Sequence, residues 1–548
     1  MGSFLKRLGG RWVALGSGLS LVVGVPVWAL STSVGTAGID ALRLHGAPYN
    51  LTGRKIAIGQ VEIGRPGQFG IDKIAFETMP FGVAQVLQLN GPAVPDEFVD
   101  GHATNVASVM ISQDKFLTGV APHPDAVLYS AAVGPLPEFS GQPVECLTAQ
   151  SVALRNSADV RAINFSFGEP LLRDPRPNAD LDGNALLTQC IDWSGRVHDT
   201  LYVIAGNQGG GGIPIPTDNF NGVNVAYSTQ TADSRFARVD YANLGSEPDF
   251  PPFRGGRPES NVGARRSINL VAPGSLIEMF NPDGRRIESS GTSFAAPHVV
   301  ATVALLQEFG DRQIRTAGWR LDARQPQVTK AVLLNSADKL EDTGDGRRLG
   351  MSRTLLDEGN QTWLEGDAYS DPEIPLHSEL GTGHLNAFRA YQQFSGGQWD
   401  AGEVPTIGWA YDAIESELPP QDLPQTEADT LVMDYAFEQP LMGGSYLSAT
   451  LAWERQVVLE DQNGNGIYDE GESFSDRGLN NLDLYLMPAD SDDIADSVWS
   501  SISEEDSVEH IFYPIPRTGE YKLRVVYRQQ VNDDLAQSFA LAWWAVGE

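Results

Sequence analysis

A serine followed by small apolar residues is the strongest chemical signal in this sequence. Residues 291–306 read GTSFAAPHVVATVALL, with apolar positions at helical spacing. This pattern predicts a buried helix that begins at or near Ser293. Free amide groups and the positive dipole end of a helix stabilise negative charge, so Ser293 is placed to act as a nucleophile in acyl transfer. For a lone Gly-Thr-Ser, a serine that merely caps a core helix would be the ordinary interpretation.

The eight residues from Gly291 to His298 closely resemble the serine motif of the subtilase (subtilisin-like) family of serine peptidases. The resemblance extends over about Gly53 to Phe394 and implies an α/β fold of three layers with a mainly parallel sheet. Alternating short strands and helices in the same region independently indicate an α/β sandwich. The resemblance also implies a triad in the chain order acid, histidine, serine, which is the order found in subtilisin.

Glu62 is the candidate acid. The apolar run at residues 55–64, followed by Arg65-Pro66-Gly67, predicts a buried parallel strand that ends near Glu62. Subtilases have an aspartate at the matching position, where it orients the catalytic histidine. A glutamate can do the same work, because Ser-His-Glu triads occur on another hydrolase fold. Asp72 and Asp100 are alternatives, but neither ends an apolar strand.

His102 is the candidate general base. Residues 100–109 read DGHATNVASV, which places the histidine just before a predicted helix of small apolar residues. It matches the first histidine of the family's His-Gly-Thr-His-Val-Ala-Gly motif, although three other motif positions differ. A lone histidine at a helix start is more often structural. The order Glu62, His102, Ser293 favours the catalytic interpretation.

Two further segments resemble substrate-handling parts of subtilases. Residues 160–168 end in Ser166-Phe167-Gly168, similar to the family's substrate-binding strand, and we expect an edge strand that pairs with a peptide substrate. A plain core strand is an equally good interpretation without the family context. Asn207 follows an apolar strand and matches the asparagine whose amide donates to the oxyanion. An asparagine before glycines is otherwise most often a turn residue.

Length and charge limit the functional classes. The 548 residues suffice for about two to four domains, and a net charge of −33 argues against binding to nucleic acid or to anionic membranes. From residue 401 onward there are 29 acidic and 6 basic residues, which suggests a separate C-terminal unit. Short alternating apolar runs without helices predict that this unit is an antiparallel all-β sandwich, similar to that appended to some subtilases.

The N-terminus predicts export. Three basic residues precede an apolar run over residues 13–30, and a Val27-Trp28-Ala29 triplet suggests cleavage after Ala29. An uncleaved membrane anchor is the alternative. We therefore expect a secreted or periplasmic protein without membrane contact after signal removal. The predicted organisation is signal peptide 1–29, N-terminal lead 30–52, peptidase domain 53–399, linker 400–430 and β-sandwich 431–548.

The two cysteines, Cys146 and Cys190, are compatible with one disulfide bond in an exported protein, but the sequence does not give their distance. Two cysteines alone argue against a zinc site.

A calcium-type loop lies in the predicted sandwich. Residues 461–472 fit the twelve-residue calcium-loop pattern, with a glycine at the sixth position for the sharp turn. A solvated acidic turn is the alternative. The predicted ligands use side-chain oxygens, except the isoleucine, which offers its backbone carbonyl. They are Asp461, Asn463, Asn465, Ile467, Asp469 and Glu472. We expect a structural calcium ion and no organic cofactor.

The sequence thus predicts an exported serine endopeptidase acting on proteins or peptides through an acyl-enzyme. Ser293 is the nucleophile, His102 the general base, Glu62 its orienting acid, and Asn207 an oxyanion donor. The rival interpretation is a catalytically weak or inactive protein of the same fold that acts as a binding or scaffold protein. It is motivated by the glutamate at the acid position and the altered histidine motif.

Overall fold

The apolar runs before residue 290 form the strands that carry the candidate residues. The protein is described here from a computed structural model, which covers residues 29–77, 79–134, 140–206, 215–241, 261–262, 265–415, 431–532 and 536–548. Three predictions fall wholly or partly outside these ranges: the signal peptide, Asn207, and residues 416–430 of the linker. The strands up to residue 289 are β1 Ala57–Glu62, β2 Gln85–Gln88, β3 Gly91–Pro92, β4 Val127–Ala132, β5 Val160–Phe165, β6 Leu201–Ala205, β7 Val223–Gln230, β8 Phe236–Tyr241, β9 Asn261–Val262, β10 Arg265–Arg266, β11 Leu270–Pro273, β12 Ile277–Phe280 and β13 Arg286–Ser289.

A nine-stranded sheet dominates this region. Its order is β11-β7-β6-β5-β1-β4-β2-β3, with β8 paired to β7. The neighbours from β11 to β2 are parallel, while β3 and β8 pair antiparallel with β2 and β7. Because β1 and β5 lie side by side in the middle of this sheet, the residues at their carboxyl ends meet at one edge.

Helices cover both faces of the sheet. The helices are α1 Ala29–Val34, α2 Leu42–His45, α3 Gly101–Ile111, α4 Gln142–Ala153, α5 Arg155–Ala158, α6 Leu186–Val197, α7 Thr292–Thr316, α8 Pro326–Asn335, α9 Asp367–Ser370 and α10 Ala387–Ser395. Apolar residues of α4 and α6 pack on one face, and those of α3, α7, α8 and α10 pack on the other. This three-layer α/β arrangement confirms the predicted fold class.

Alternation along the central strands decides which face the candidate residues share. On β1, Ile58 belongs to the core on the α7 side, whereas Val61 belongs to the core on the α4 side. On β5, Ala162 and Ile163 divide in the same way. Since side chains two positions apart point to the same face, Glu62 extends toward the α7 side.

The C-terminal region forms the predicted β-sandwich. Its strands are β14 Gly402–Val404, β15 Ile407–Glu415, β16 Leu431–Phe437, β17 Tyr446–Trp453, β18 Gln456–Glu460, β19 Ser473–Gly478, β20 Asn481–Pro488, β21 Trp499–Ser501, β22 Val508–Pro514, β23 Tyr521–Gln529 and β24 Ala536–Trp544. One sheet has the order β14-β16-β23-β20-β21 and the other β15-β24-β17-β22. All pairs are antiparallel except β14 with β16, and a shared apolar core lies between the two sheets. β18 and β19 form a separate hairpin around residues 461–472.

The sandwich is joined to the α/β domain by buried polar contacts. Helix α8 packs on β17 and β24, and the Asn335 side chain at its end accepts a hydrogen bond from Ser448 at 2.8 Å. Arg455 forms a buried ion pair with Asp192 of α6 at 2.7 Å. Such contacts fix the two domains against each other.

Two sequence predictions differ from the structure. The sequence predicts a linker over 400–430, but residues 402–415 contain β14 and β15, and β15 pairs with β24 over its whole length. Its proline-rich and acidic neighbourhood hides an alternating apolar pattern. The sequence also predicts that the strand preceding Ser166 lies at a sheet edge, but β5 is hydrogen-bonded on both sides by β1 and β6. A substrate therefore cannot pair with β5 itself, and only the residues beyond its end are available.

Candidate active site

Glu62 lies at the carboxyl end of β1 with its side chain 2% exposed. The strand is buried at every position, because it has a neighbour on each side and helices on both faces. Burial raises the pKa of Glu62, and the nearby His102 offsets part of that rise. The carboxylate is therefore held in a place where it needs a positive or hydrogen-bonding partner.

His102 lies in the first turn of α3, where Asp100 caps the helix by accepting a hydrogen bond from the Ala103 amide at 3.1 Å. Its Nδ1 is 3.1 Å from Glu62 Oε2. Burial lowers the pKa of His102, but the charge and the hydrogen bond of Glu62 outweigh burial, so the pKa lies above its ordinary value. A proton on Nδ1 leaves Nε2 free to accept another proton.

The alternative acids are engaged elsewhere. Both carboxylate oxygens of Asp72 accept hydrogen bonds from Arg65 at 2.6 Å, and this ion pair is fully buried. Asp100 serves as the helix cap of α3. Among the three acids considered from the sequence, Glu62 is the one that contacts His102.

Ser293 is the second residue of the long helix α7, in agreement with the predicted helix that begins at or near this serine. Its hydroxyl donates a hydrogen bond to the backbone carbonyl of Ser166 at 3.4 Å. The ring of the next residue, Phe294, lies against the ring of His102 with 5.6 Å between the centroids. The structure therefore brings the start of α7 beside the His102–Glu62 pair.

A chain of hydrogen bonds connects the acid to the serine. Asn164, on β5, donates from Nδ2 to Glu62 Oε1 at 3.4 Å and to Ser166 Oγ at 2.8 Å. The Ser166 hydroxyl donates in turn to the backbone carbonyl of Ser293 at 3.1 Å. The sequence pattern alone does not indicate a role for Asn164. Its position two residues before Ser166 is a usable signal, because both then share one face of the strand.

The segment leading to the predicted oxyanion donor is tied to the same helix start. Thr292 Oγ1 donates to the Gly206 carbonyl at 2.6 Å, immediately before Asn207. Asn207 itself lies outside the described residues. Gly274 permits a second close approach, because a side chain there would meet the Tyr227 Cβ at 2.4 Å and the Gly291 carbonyl at 2.7 Å.

The predicted substrate residues follow the end of β5. Ser166 is in hydrogen-bond contact with Ser293 through both its hydroxyl and its carbonyl. Phe167 is 8% exposed and stacks on Phe165 with ring centroids 4.3 Å apart. Gly168 follows Phe167 and precedes Glu169, whose amide pairs with Ile215. Ser166 thus lies next to Ser293, and Phe167 and Gly168 continue the chain from it.

The predicted calcium loop folds back on itself. Asn463 and Asn465 both donate from Nδ2 to Asp469 Oδ2 at 2.7 Å, so three predicted ligands converge on one point. The Asp461 carboxylate accepts backbone amides within the loop. Glu472 accepts two backbone amides at 2.9 Å and therefore faces the loop backbone. The described residues contain no group of three or more His, Cys, Asp or Glu side chains arranged to hold a metal ion.

The loop contacts the α/β domain. Tyr468 is fully buried, and its backbone amide and carbonyl bond to the Gln150 side chain of α4 at 2.6 and 3.0 Å. Helix α4 also carries Cys146, which is disulfide-bonded to Cys190 of α6.

None of the helices in the described part of the chain is both long and apolar enough to span a bilayer.

Several known proteins are similar to part of this chain. The chain is 23% identical to thermitase from Thermoactinomyces vulgaris over 246 residues, which is 45% of this chain and 70% of thermitase. It is 25% identical to subtilisin amylosacchariticus from Bacillus subtilis subsp. amylosacchariticus over 285 residues, or 51% of this chain and 62% of that protein. The chain thus spans less than two thirds of that subtilisin's length. A solved structure of the prenylagaramide maturation protease PagA aligns over 62% of this chain and 92% of its own, with 22% identity and a TM-score of 0.37.

The sequence profile of the Subtilase family matches residues 87–352. This range includes His102 and Ser293 and begins after Glu62. Residues 87–352 are therefore a domain of the subtilase family of serine peptidases.

Proposed function

We propose that this protein is an exported serine endopeptidase with a Ser-His-Glu triad. The observation that carries the proposal is the 3.1 Å contact between His102 Nδ1 and the buried Glu62 carboxylate, beside the first turn of α7, which contains Ser293. A buried acid that fixes the imidazole tautomer next to a serine is the arrangement that acyl transfer requires.

In the proposed reaction, the Ser293 hydroxyl turns from the Ser166 carbonyl toward His102 and attacks the scissile carbonyl carbon. His102 Nε2 takes the hydroxyl proton and later gives it to the leaving amine, which yields an acyl-enzyme. Glu62 keeps the proton on Nδ1 and stabilises the imidazolium while it exists. Water then hydrolyses the acyl-enzyme by the same proton transfers.

The negative charge of the tetrahedral intermediate needs donors. We assign this role to the Ser293 backbone amide at the start of α7 and to the Asn207 side chain. The bond from Thr292 to Gly206 supports the assignment, because it ties the backbone just before Asn207 to the helix start.

Proteins or peptides are the proposed substrates, with their backbone lying against Ser166, Phe167 and Gly168. The acidic composition argues against nucleic acid as a partner. Export through an N-terminal signal, to a secreted or periplasmic location, agrees with a disulfide bond between Cys146 and Cys190.

We also propose a structural calcium ion in the loop 461–472. Carboxylate and amide oxygens of Asp461, Asn463, Asn465 and Asp469 suit this hard cation, and the two asparagines would turn their oxygens inward to bind it. The ion would stiffen a loop that contacts α4 through Gln150.

A binding protein without catalytic activity is the second candidate. It is favoured by the hydrogen bond from the Ser293 hydroxyl to the Ser166 carbonyl, which occupies the proton that His102 would accept.

Replacement of the nucleophile separates the two candidates. We expect the purified protein to digest an unfolded protein substrate such as casein, and Ser293→Ala to lose this activity without a change in its circular dichroism spectrum or melting temperature. Activity retained by a pure Ser293→Ala sample would refute the assignment of Ser293. An inactive but folded wild-type protein would favour the binding protein.

A further inference from the structure

Asn164 makes contacts that none of the proposed catalytic steps explains. It is a fully buried residue near the end of β5, next to β1 and on the same face of the sheet as Glu62. Its Nδ2 reaches the one carboxylate oxygen of Glu62 that His102 does not occupy. The two carboxylate oxygens are thereby divided between an imidazole and an amide.

The chemistry of the neighbours fixes the orientation of the amide. The single proton of the Ser166 hydroxyl is donated to the Ser293 carbonyl, so the Ser166 oxygen can only accept from Asn164. Glu62 Oε1 is likewise an acceptor when the carboxylate is ionised. Asn164 Oδ1, in contrast, is buried without a hydrogen-bond partner among the described residues. Both donors of the amide are used although its acceptor is not.

A glutamate has more need of such a partner than an aspartate has. Its additional methylene adds a rotatable bond, and two fixed oxygens are needed to hold the carboxylate plane toward an imidazole. The burial of Glu62 also penalises its charge unless donors surround it. An amide that donates to Oε1 supplies both the orientation and the donor.

The same amide also acts on the nucleophile. Ser166 accepts from Asn164 at 2.8 Å and donates to the Ser293 carbonyl at 3.1 Å, in the first turn of α7. A displacement of Asn164 would therefore change the position of the acid and of the helix start together.

We propose that Asn164 is a positioning residue that holds Glu62 against His102 and, through Ser166, fixes the start of α7 that carries Ser293. This inference rests on the proposed peptidase function. It predicts that Asn164 controls the protonation of the His102–Glu62 pair as well as the reaction rate, whereas a purely structural residue would affect stability alone.

The sign of the pH effect follows from the hydrogen bond. A donor to the ionised carboxylate lowers its proton affinity, so removal of the donor raises the proton affinity of Glu62 toward that of His102. The pair then takes up its first proton at a higher pH, and the form needed for catalysis, ionised Glu62 with neutral His102, is lost earlier as the pH falls.

The test compares Asn164→Leu, which has a similar size but no donor, with Asn224→Leu. Asn224 is a buried asparagine on β7 of the same sheet, and its amide donates to the carbonyls of Thr217 and Ser267. The rate of labelling by a fluorophosphonate is measured from pH 5 to 9 in the full-length protein, beside the melting temperature. The low-field proton resonance of the His102 imidazole is recorded as a readout independent of activity.

We expect Asn164→Leu to label about tenfold to a hundredfold more slowly, the range for one hydrogen bond to a charged group. Its acid limb should move to higher pH, and the His102 resonance should shift. Asn224→Leu should keep the wild-type acid limb and resonance whatever its melting temperature. If Asn164→Leu does not fold, Asn164→Ala is subject to the same expectations.

Two results overturn the inference. One is a folded Asn164 variant with the wild-type rate and acid limb. The other is a slower variant whose acid limb and His102 resonance do not move, since this would make Asn164 structural only. A wild-type protein that does not label at all would instead refute the proposed peptidase function, so the two failures are distinguishable.

Discussion

Replacement of Glu62 with glutamine removes the charge that holds His102 in its reactive state while preserving the size of the side chain. The introduced amide would present either an oxygen or a donor to Nδ1, which lies 3.1 Å from Glu62 Oε2 in the wild-type structure. A donor in this place puts the imidazole proton on Nε2, where the Ser293 proton must go. The comparable amide replacement in a serine protease triad reduces kcat by about 10⁴, and we expect a loss of this order here.

The pH dependence of activity gives a second, independent measure of the effect of Glu62. Catalysis requires neutral His102, so activity falls as the pH drops through its pKa. Glu62 raises the pKa of His102, whereas burial lowers it. Without the charge of Glu62, burial determines the direction, and the pKa of His102 falls. An opposite charge at this distance shifts a pKa by roughly one to three units. The acid limb of the residual activity in Glu62→Gln should therefore move to lower pH by at least about one unit.

Stability should not follow activity. Because burial raises the pKa of Glu62 in the folded protein, its ionised form disfavours folding once the pH exceeds the ordinary carboxyl pKa. Above the pKa of His102, where the imidazole is neutral, Glu62→Gln relieves this penalty. We expect the free energy of unfolding of the variant in urea to equal or exceed that of the wild type.

The assay is the pH profile of kcat/KM on a chromogenic peptide, with Glu62→Asp as the matched control. The aspartate keeps the charge but is one methylene shorter, so its rate should fall less and its acid limb should stay near that of the wild type. A Glu62→Gln variant with wild-type kcat/KM, or one whose acid limb does not move, would refute the assignment of Glu62 as the orienting acid.

Three further predictions concern stability. The disulfide between Cys146 and Cys190 closes a separation of 44 residues, and the loop-closure relation gives it a stabilisation of about 4 kcal/mol. The double alanine variant should lose a comparable free energy of unfolding in urea. An unchanged unfolding midpoint would contradict this prediction. Arg455→Met leaves the buried Asp192 without its partner at 2.7 Å and should lose about 3–5 kcal/mol, whereas an unchanged unfolding curve would show that the pair does not hold the domains together. Calcium at a hundredfold excess over its Kd should add about 2.7 kcal/mol to the unfolding free energy, and Asp461→Ala should abolish this gain. If a chelator changes the unfolding free energy of the wild type and of Asp461→Ala equally, the loop is not the calcium site.

Much of the α/β domain is predictable because its strands and helices have strong local patterns. The central strand ending at Glu62 and the buried helix whose first turn contains Ser293 both follow from apolar runs and their stop signals. The α/β fold and the sandwich are predicted correctly for the same reason. The chain order of the candidate triad limits the choice of acid, and the contact with His102 then distinguishes Glu62 from Asp72.

The wrong or missing predictions share a physical cause, because the local sequence does not determine which strands pair with each other. β15 is hidden in a segment whose prolines and acids suggest a linker, yet it pairs with β24, more than a hundred residues later. The sheet position of β5 depends on which strands flank it, and the motif ending in Ser166 carries no information on that. Asn164 is overlooked because its importance comes from β1, a strand far away in the sequence.

The most direct test of the proposed Ser-His-Glu triad is covalent labelling of the purified protein by a serine-directed fluorophosphonate, with the modified residue identified by mass spectrometry. If the triad is correct, one phosphonyl group is attached to Ser293, and labelling drops sharply in Glu62→Gln. A correctly folded protein that is not labelled at Ser293, either with or without calcium, would contradict it.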